Sequence, residues 1–313
     1  MGAQDRIGRR MKLQDLHVFM AVAEAGGMSK AAERLHTSQP AISRAIAALE
    51  HAFGVPLLER NARGVKPTEH GRAMLEGGMA VFDDLRQMAV RMDSLSDPGA
   101  GEVRIGTTAF LAASVVSAVI DRLLRRYPRM AFEIVTSSGG ALQGELIERK
   151  VDLLVVRRFA PIAEERLAFE FLFDDSFVVA TSTKSPWARR RRIDLAELAQ
   201  ESWLLPPAES VASEVAHEIF RASGLEYPRP TVVTLTAEVR MSLLATGRFV
   251  TILPESVLRY PVKRADLKVL PVRLPAARVP NGIVTLKSRR LSPAAQLFLE
   301  CTREVARSMG RKA

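Results

Sequence analysis

The chain contains one cysteine, Cys301, and no long uncharged apolar run. A single cysteine forms no intramolecular disulfide and supplies no cysteine cluster for a metal, so we expect a buried thiol on a C-terminal helix. A membrane-spanning helix needs roughly 18 or more apolar residues in succession, and the sequence has no such stretch. The N-terminal residues MGAQDRIGRRMKLQ carry charges without an apolar segment after them, unlike a secretory signal. We therefore expect a cytoplasmic protein that does not associate with membranes.

The sequence also lacks the usual motifs of cofactor-dependent and metal-dependent enzymes. No GxGxxG, GxxxxGK[ST], HExxH or CxxC occurs, and His217-Glu218 has no second histidine at the spacing of a zinc site. The other histidines are spread over the first 70 residues: His17, His36, His51 and His70. We therefore expect no enzymatic activity, no metal site and no cofactor.

The charge of the chain is strongly positive, with a net +10 and a pI near 10.2, which suggests a polyanionic partner. Residues 1–68 contain ten Lys and Arg against six Asp and Glu, so only +4 of the excess lies there. Much of the remainder lies beyond residue 95, including the run Arg189–Arg192. A solvated loop is the favoured interpretation of this run, ahead of a nucleic-acid contact. Basicity alone therefore does not locate a binding site.

The sequence pattern divides the chain into four regions, as expected for 313 residues that exceed a single core. Short helical segments occupy 11–68, and one long amphipathic helix is predicted over 69–95. The Pro- and Gly-containing segment SDPGAG at 96–101 predicts a hinge. Short β-rich runs alternate with helical segments over 102–308, which is typical of parallel α/β units.

A helix-turn-helix is predicted at 28–47. Ser29 can cap a first short helix, His36 and Thr37 form the turn, and Thr37 or Ser38 caps a second helix that ends at Gly54. Pro40 falls in the first turn of the second helix, where a missing N–H has little effect. Apolar residues at helical spacing predict the buried stripe of that helix: Ile42, Ala45, Ile46, Leu49 and Phe53.

The opposite face of the second helix is polar at its N-terminal end, which is the end that a recognition helix presents to the major groove. Glutamine can read adenine, arginine can read guanine or bind phosphate, and serine suits either target. Spacing alone leaves open a plain helical hairpin with a solvated polar face. The candidate DNA-binding residues on this helix are Ser38, Gln39, Pro40, Ser43 and Arg44.

An extended hairpin is predicted directly after the second helix. Leu57 and Leu58 begin it, and RNARGV at 60–65 forms its turn. Such a wing can reach phosphates or the minor groove and adds salt-sensitive affinity that does not depend on base sequence. The wing candidates are Arg60, Arg63 and Lys66, together with Thr68, which also caps the following helix.

In its first 75 residues the chain resembles the DNA-binding domain of LysR-type transcriptional regulators, over some sixty residues in unbroken register. Gly27-Met28 and Leu58 depart mildly from the usual pattern, at packing positions. The resemblance implies a sequence-specific, DNA-binding transcription regulator with a winged helix-turn-helix. It rests on Leu16, Phe19, Ala31, Ala32, Leu35, Ser38, Gln39, Pro40, Ser43, Leu49, Glu50, Gly54, Leu57, Arg60, Pro67, Thr68 and Gly71.

The long helix carries apolar residues at steps of three and four, which makes a dimerising coiled-coil seam plausible. Packing of this face against the chain's own domains is the alternative. The resemblance implies a homodimer that pairs into a homotetramer, and contact with RNA polymerase. The seam consists of Leu75, Met79, Phe82, Leu85, Met88, Met92 and Leu95.

The C-terminal region resembles, more weakly, the type 2 periplasmic-binding-protein fold of the same regulators, through LATGRFVTILPESV and TSTKSPWA. This resemblance implies two Rossmann-like lobes, 102–174 with 278–308 and 175–277, and a small-molecule effector between them. A solute-binding module without a regulatory role is the alternative, which the N-terminal region disfavours.

Ligands of open α/β sheets lie beyond the carboxyl ends of strands. This rule selects as candidate effector-binding residues Thr107, Thr108, Ser137, Ser138, Gly139, Arg157, Thr181 and Thr236. Hydroxyls and backbone amides at these positions suit a carboxylate or a polyol, although serine and threonine at strand ends often only cap helices. A surface position is the favoured interpretation of Arg157, ahead of a carboxylate partner.

Overall fold

A computed structural model describes residues 11–61, 64–96, 100–137, 139–158, 164–259, 266–275 and 278–310. The chain divides into two compact units between Ala89 and Val90. Arg63, Ser138, residues 1–10 and residues 97–99 of the predicted hinge lie outside the described residues. Among the described residues, no helix is long and apolar enough to cross a membrane.

The N-terminal unit consists of three short helices, a two-stranded antiparallel hairpin and the beginning of a long helix. In chain order these are α1 (Leu13–Ala25), α2 (Met28–Arg34), α3 (Gln39–Phe53), β1 (Leu58–Asn61), β2 (Gly64–Pro67) and α4 (Glu69–Ser96). One apolar core joins the three short helices to the base of the hairpin, and its fully buried members include Leu16, Phe19, Ala31, Ile42, Ile46, Leu49 and Leu57.

Two details of the predicted helix-turn-helix are wrong. The residue before α2 is Gly27 in extended backbone, and Ser29 lies inside the helix instead of capping it. Phe53 is 38% exposed, so the buried stripe of α3 ends at Leu49. Ser38 does cap α3, because its Oγ accepts a hydrogen bond from the Ala41 N–H over 3.4 Å, and Gly54 ends the helix with a left-handed φ of 71°.

Helix α4 does not use its apolar face uniformly. Leu75 and Phe82 pack against the core of the N-terminal unit, and the Phe82 ring meets His17 edge-on at 5.7 Å. Met88 and Met92, further along, are 54% and 65% exposed. The first part of the predicted seam therefore packs against the chain's own N-terminal domain, which was the alternative to dimerisation. Met88 and Met92, in the later part, are exposed. The side chain of Leu95 lies outside the described set.

Among the described residues, nine strands form a mixed sheet at the centre of the C-terminal unit: β3 (Ala100–Thr107), β4 (Arg129–Thr136), β5 (Leu153–Arg157), β6 (Leu167–Ser182), β7 (Trp203–Leu205), β8 (Val232–Val233), β9 (Val250–Pro254), β10 (Leu267–Val269) and β11 (Arg278–Leu286). The strand order in the sheet is β4-β3-β5-β11-β6-β9-β7-β8, and β10 pairs with β6. Strands β3, β4 and β5 are parallel, as are β7, β8 and β9, whereas β6, β10 and β11 pair antiparallel. The predicted parallel α/β pairing is therefore present in two groups of three strands, and β6, β10 and β11 add antiparallel pairs to it.

The sheet and the helices that cover it form two lobes, and strand β6 runs from one lobe into the other. The helices are α5 (Ser117–Arg126), α6 (Gly139–Ile147), α7 (Val211–Ala222), α8 (Ala237–Ala245), α9 (Ser256–Arg259) and α10 (Pro293–Gly310), with a π-helical turn at Ala112–Val116 before α5. Strand β6 pairs with β11 up to Ser176 and with β9 from Phe177 onward. Apolar cores on one side of this change of partner include Val103 and Phe298, and those on the other include Trp203 and Leu253. Cys301 is buried on α10 as predicted, and burial raises the pKa of its thiol.

Candidate functional site

The N-terminal end of α3 presents a continuous polar face. Ser38, Gln39, Pro40 and Arg44 are exposed, and Ser43 is half-buried. The helix is held from behind by fully buried apolar side chains of its inner face, so the polar residues occupy a fixed surface. The preceding turn is tight because His36 adopts a left-handed φ of 49°. The five candidate residues of α3 therefore share one exposed end of one rigid helix.

A carboxylate on α3 positions the hairpin that follows it. Glu50 Oε1 accepts hydrogen bonds from the backbone N–H groups of Leu57 at 2.8 Å and Leu58 at 3.3 Å. Both leucines are buried, so these amides have no water to replace the carboxylate. Sequence reasoning matched Glu50 to the family pattern but did not identify this role. The spacing of seven and eight residues gives no local signal for it.

The hairpin itself confirms the predicted wing. Strands β1 and β2 pair with Arg60 opposite Val65, and Lys66 is exposed. Gly64 has a φ of 123°, and a Cβ there would lie 2.6 Å from the Gly26 carbonyl oxygen, so the wing passes close to the turn between α1 and α2. The Val65 N–H donates to that same oxygen over 3.0 Å. Arg63 and the side chain of Arg60 lie outside the described set.

Thr68 uses its hydroxyl inside the domain. The hydroxyl donates to the Pro56 carbonyl oxygen over 2.8 Å and accepts from the Gly71 N–H over 3.0 Å, which caps α4. A Cβ on Gly71 would lie 2.1 Å from the Leu57 carbonyl oxygen, so the start of α4 packs directly on the chain before the wing. The capping role predicted for Thr68 is thus present, and the hydroxyl has no free hydrogen for DNA in this arrangement.

Two of the candidate effector residues are structural. The hydroxyl of Thr107 donates to the Val155 carbonyl oxygen at 2.7 Å, and the hydroxyl of Thr181 donates to the Phe249 carbonyl oxygen at 2.8 Å. Both residues are fully buried inside the sheet. Their choice as ligand contacts was wrong, because each hydroxyl joins neighbouring strands.

Four other candidates are described at or just after strand ends. Ser137, Gly139 and Thr236 are exposed at the carboxyl ends of β4 and β8. Thr108 directly follows β3, and its hydroxyl oxygen is buried without a hydrogen-bond partner among the described residues. Buried polar groups without a partner are rare, so Thr108 marks a position where a further polar group is expected.

Arg157 is not at the surface, contrary to the interpretation favoured from sequence. Its side chain is 5% exposed, and Nη2 donates to Asp175 Oδ2 over 2.9 Å. Burial lowers the pKa of this guanidinium, and the charge and hydrogen bond of Asp175 act in the opposite direction. The neighbouring Arg158 is the exposed arginine, and its guanidinium lies 4.4 Å from the Phe169 ring.

Sequence reasoning missed Arg240, a second buried arginine of this region. It lies on α8, one helical turn after Thr236, and is 4% exposed. Burial lowers its pKa to about 10. No motif marks this position, because an arginine within an amphipathic helix ordinarily faces water.

Two family models match the chain. The model described as "Bacterial regulatory helix-turn-helix protein, lysR family" matches residues 13–72, and the model described as "LysR substrate binding domain" matches residues 96–307. Together they span the N-terminal unit with its wing and nearly all of the two-lobed unit. The predicted fold, a winged helix-turn-helix followed by an α/β region of two lobes, is confirmed.

Curated relatives match along almost the whole chain. The HTH-type transcriptional regulator TfdS of Cupriavidus pinatubonensis is 30% identical over 305 residues, which cover 96% of this chain and 100% of the relative. The HTH-type transcriptional regulator GbpR of Azospirillum brasilense is 26% identical, covering 97% and 89%. Both are named as regulators of transcription and not as enzymes, in agreement with the sequence prediction.

Solved structures share the fold. Full-length OxyR from Pseudomonas aeruginosa superposes with a TM-score of 0.65 at 23% identity, covering 96% of this chain and 97% of that chain. The helix-turn-helix with its wing, the two-lobed α/β unit and the matched family models agree with one another along the chain. This protein belongs to the LysR family of DNA-binding transcriptional regulators.

Proposed function

We propose that this regulator binds operator DNA as a homo-oligomer through α3 and that a small-molecule effector, bound between the two lobes, controls the complex. The observation that carries the proposal is the polar end of α3, an exposed surface fixed by a buried apolar base. Gln39 and Arg44 carry the side chains suited to read base edges, while Ser38, Pro40 and Ser43 approach the backbone or the groove floor.

The experiment for the recognition helix compares Gln39→Ala and Arg44→Ala with His51→Ala, which changes an exposed residue at the other end of the same helix. Fluorescence anisotropy with an operator duplex and an unrelated duplex measures specific and non-specific binding. We expect each of the first two variants to lose about 1–3 kcal/mol of preference for the operator. Self-association should stay intact in both. Unchanged operator affinity in both variants would defeat the assignment.

The wing supplies affinity without base preference in this proposal. Arg60, Arg63 and Lys66 contact phosphates, and the support is the exposed Lys66 on a hairpin that Glu50 holds beside α3. Arg63→Ala and Lys66→Ala should each weaken binding to all duplexes alike and lower the salt slope by about one. A changed base preference in either variant would contradict this role.

The effector site lies between the lobes in this proposal, next to Thr108, Ser137, Ser138, Gly139 and Thr236. The support is the position of the described members, Thr108, Ser137, Gly139 and Thr236, beyond the carboxyl ends of strands, where α/β sheets bind ligands. A thermal-shift screen of metabolites on the full chain tests the idea, followed by operator binding with each stabilising compound. An effector should do both: stabilise the protein and change its operator binding. Failure of every stabilising compound to change operator binding would contradict effector control.

The oligomer in this proposal forms through the exposed part of α4 and pairs two recognition helices with two operator half-sites. Two dimers associate into a tetramer, and the complex contacts RNA polymerase. Lobe movement passes to the DNA-binding regions through the Ser96–Gly101 hinge. Analytical ultracentrifugation with and without operator DNA tests the assembly, and a monomer on DNA would contradict it.

A further inference from the structure

Among the described residues of the C-terminal unit, three arginines are buried, and they differ in their partners. Arg157 pairs with Asp175 at 2.9 Å, and Arg289 pairs with Asp152 at 2.6 Å. Arg240 is equally buried, yet none of the ion pairs among the described residues includes it. A buried guanidinium without a carboxylate is expensive in free energy, because it loses water and gains no opposite charge. Arg240 therefore requires an explanation that the other two arginines do not.

Besides its charge, which no carboxylate among the described residues neutralises, the guanidinium of Arg240 has incomplete hydrogen bonding. Its Nη2 donates to the Leu204 carbonyl oxygen at 3.4 Å, a long contact to an oxygen that already accepts from the Thr251 hydroxyl at 2.6 Å. Its Nε, like that of Arg157, is buried without a hydrogen-bond partner among the described residues. The guanidinium thus has an unused donor in a place that water does not reach.

The phenol of Tyr227 does not supply the missing charge. Tyr227 is the group whose charge acts on the pKa of Arg240, and burial raises the pKa of the Tyr227 phenol, so that the phenol stays neutral. The Tyr227 hydroxyl is also buried without a partner among the described residues. Since the pKa of Arg240 is lowered only to about 10, the guanidinium keeps its positive charge at neutral pH.

Arg240 lies where the two lobes meet. It belongs to α8, which begins directly after Thr236 at the carboxyl end of β8 in the second lobe. The guanidinium carbon lies 5.6 Å from the centre of the Phe110 ring, and Phe110 belongs to the first lobe. Two residues before Phe110 is Thr108, whose buried hydroxyl oxygen has no hydrogen-bond partner in the described part of the chain. An unpaired cation, an aromatic ring and unused hydroxyls therefore come from both sides of one boundary.

We propose that the effector of this regulator carries a carboxylate group and that Arg240 binds that carboxylate between the lobes. This inference rests on the proposed effector control and adds the chemical class of the effector. The planar fork of a guanidinium matches a carboxylate with two parallel hydrogen bonds. The Phe110 ring suits an apolar body attached to that group, and the hydroxyls of Thr108 and Tyr227 suit its further oxygens. A ligand that touches both lobes holds them together.

The first test uses stability without any ligand. Arg240→Met replaces the buried cation with an apolar chain of similar length, and we expect the melting midpoint of the full chain to stay equal or rise. Arg289→Met is the matched control, because it breaks a buried pair with Asp152, and its midpoint should fall. A clear fall for Arg240→Met would show that the arginine stabilises the ligand-free fold, which would overturn the proposal.

The second test uses matched ligands on the full chain. Small linear and aromatic carboxylates, the primary amide of each, and inorganic phosphate are titrated by thermal shift and calorimetry. At least one carboxylate should stabilise the wild-type chain, and its amide should bind about tenfold more weakly or worse, as should phosphate. Arg240→Met should remove this preference and Arg240→Lys should restore part of it, while Arg221→Gln, at an exposed arginine of α7, should leave it intact.

The outcomes separate the two proposals. The carboxylate proposal is overturned if no carboxylate stabilises the wild-type chain, if an amide or phosphate binds equally well, or if Arg240→Met keeps the carboxylate response. Neutral compounds that change operator binding in the wild-type chain and in Arg240→Met alike would overturn it while effector control stands. A carboxylate that binds through Arg240 without changing operator binding would support the site and contradict effector control.

Discussion

Arg157 donates to Asp175 over 2.9 Å at the point where β6 changes partners, and this pair joins β5 to β6. Asp175 lies opposite Val279 of β11, and the pairing of β6 with β9 starts two residues later at Phe177. Asp175 also accepts from the N–H and the hydroxyl of Ser256, at the start of α9. One carboxylate therefore fixes the end of β5 and the start of α9 to the strand that connects the lobes.

Asp175→Asn should destabilise the C-terminal unit by about 3–5 kcal/mol, because it leaves the buried Arg157 charge without an opposite charge. Urea unfolding followed by circular dichroism measures the loss. The matched control is Asp174→Asn, which changes the exposed carboxylate next to it and should shift stability by about 0.5 kcal/mol or less. Equal effects of the two variants would show that the pair does not fix this crossing.

Glu50→Ala should loosen the wing, since the buried amides of Leu57 and Leu58 lose their acceptor. We expect about 1–3 kcal/mol of lost stability in the N-terminal unit, and weaker operator binding even though α3 keeps its reading face. Unfolding curves and anisotropy with the operator measure the two effects. Glu33→Ala, at an exposed position of α2, is the control and should change neither quantity. Normal stability of Glu50→Ala would mean that other contacts hold the wing.

Local signals made the helix-turn-helix predictable from sequence. Ser38 and Gly54 lie at the two ends of α3, and the strands of the wing are close together in the sequence. The role of Glu50 was not predictable, because its partners lie seven and eight residues away across a turn. Phe53 was misjudged because helical spacing continues to the end of α3, while the core that covers its inner face does not.

The C-terminal unit was harder to predict for a geometric reason. Successive side chains of a strand point to opposite faces, so one residue decides between burial and exposure. Arg157 and Arg158 are adjacent, yet the first is buried and the second is exposed. Thr107 and Thr181 likewise point into the sheet, where only the neighbouring strands determine their partners. The reversed direction of β6 and β11 also depends on the path of the chain, which the alternation of strands and helices does not encode.

Self-association should depend on the later part of α4. Met88→Lys combined with Met92→Lys places two charges on exposed apolar positions of this helix, and we expect the dimer dissociation constant to rise by about tenfold or more. Sedimentation equilibrium measures this change. Ala73→Lys, at an exposed position near the start of α4, is the control and should leave the dimer intact. A double variant that dimerises like the wild-type chain would place the interface elsewhere.

Acid should remove the contribution that an ion pair with two hydrogen bonds, between β6 and α10, makes to the free energy of unfolding. Arg303 donates from Nε and Nη2 to the two oxygens of Glu170, each over 2.7 Å, and these bonds lower the pKa of Glu170. A carboxyl whose pKa is lower in the folded chain stabilises that chain above its unfolded pKa of about 4.3. This stability is lost as the pH falls through the lowered folded value. Because both side chains are about two-fifths exposed, the pair should contribute about 0.2–1 kcal/mol.

Urea midpoints of Glu170→Gln and the wild-type chain should therefore differ by a constant amount between about pH 6 and pH 8 and converge below about pH 4. Glu133→Gln, at an exposed carboxylate of β4, should show no such convergence, and a Glu170→Gln difference that persists undiminished in acid would exclude the ion pair as its cause.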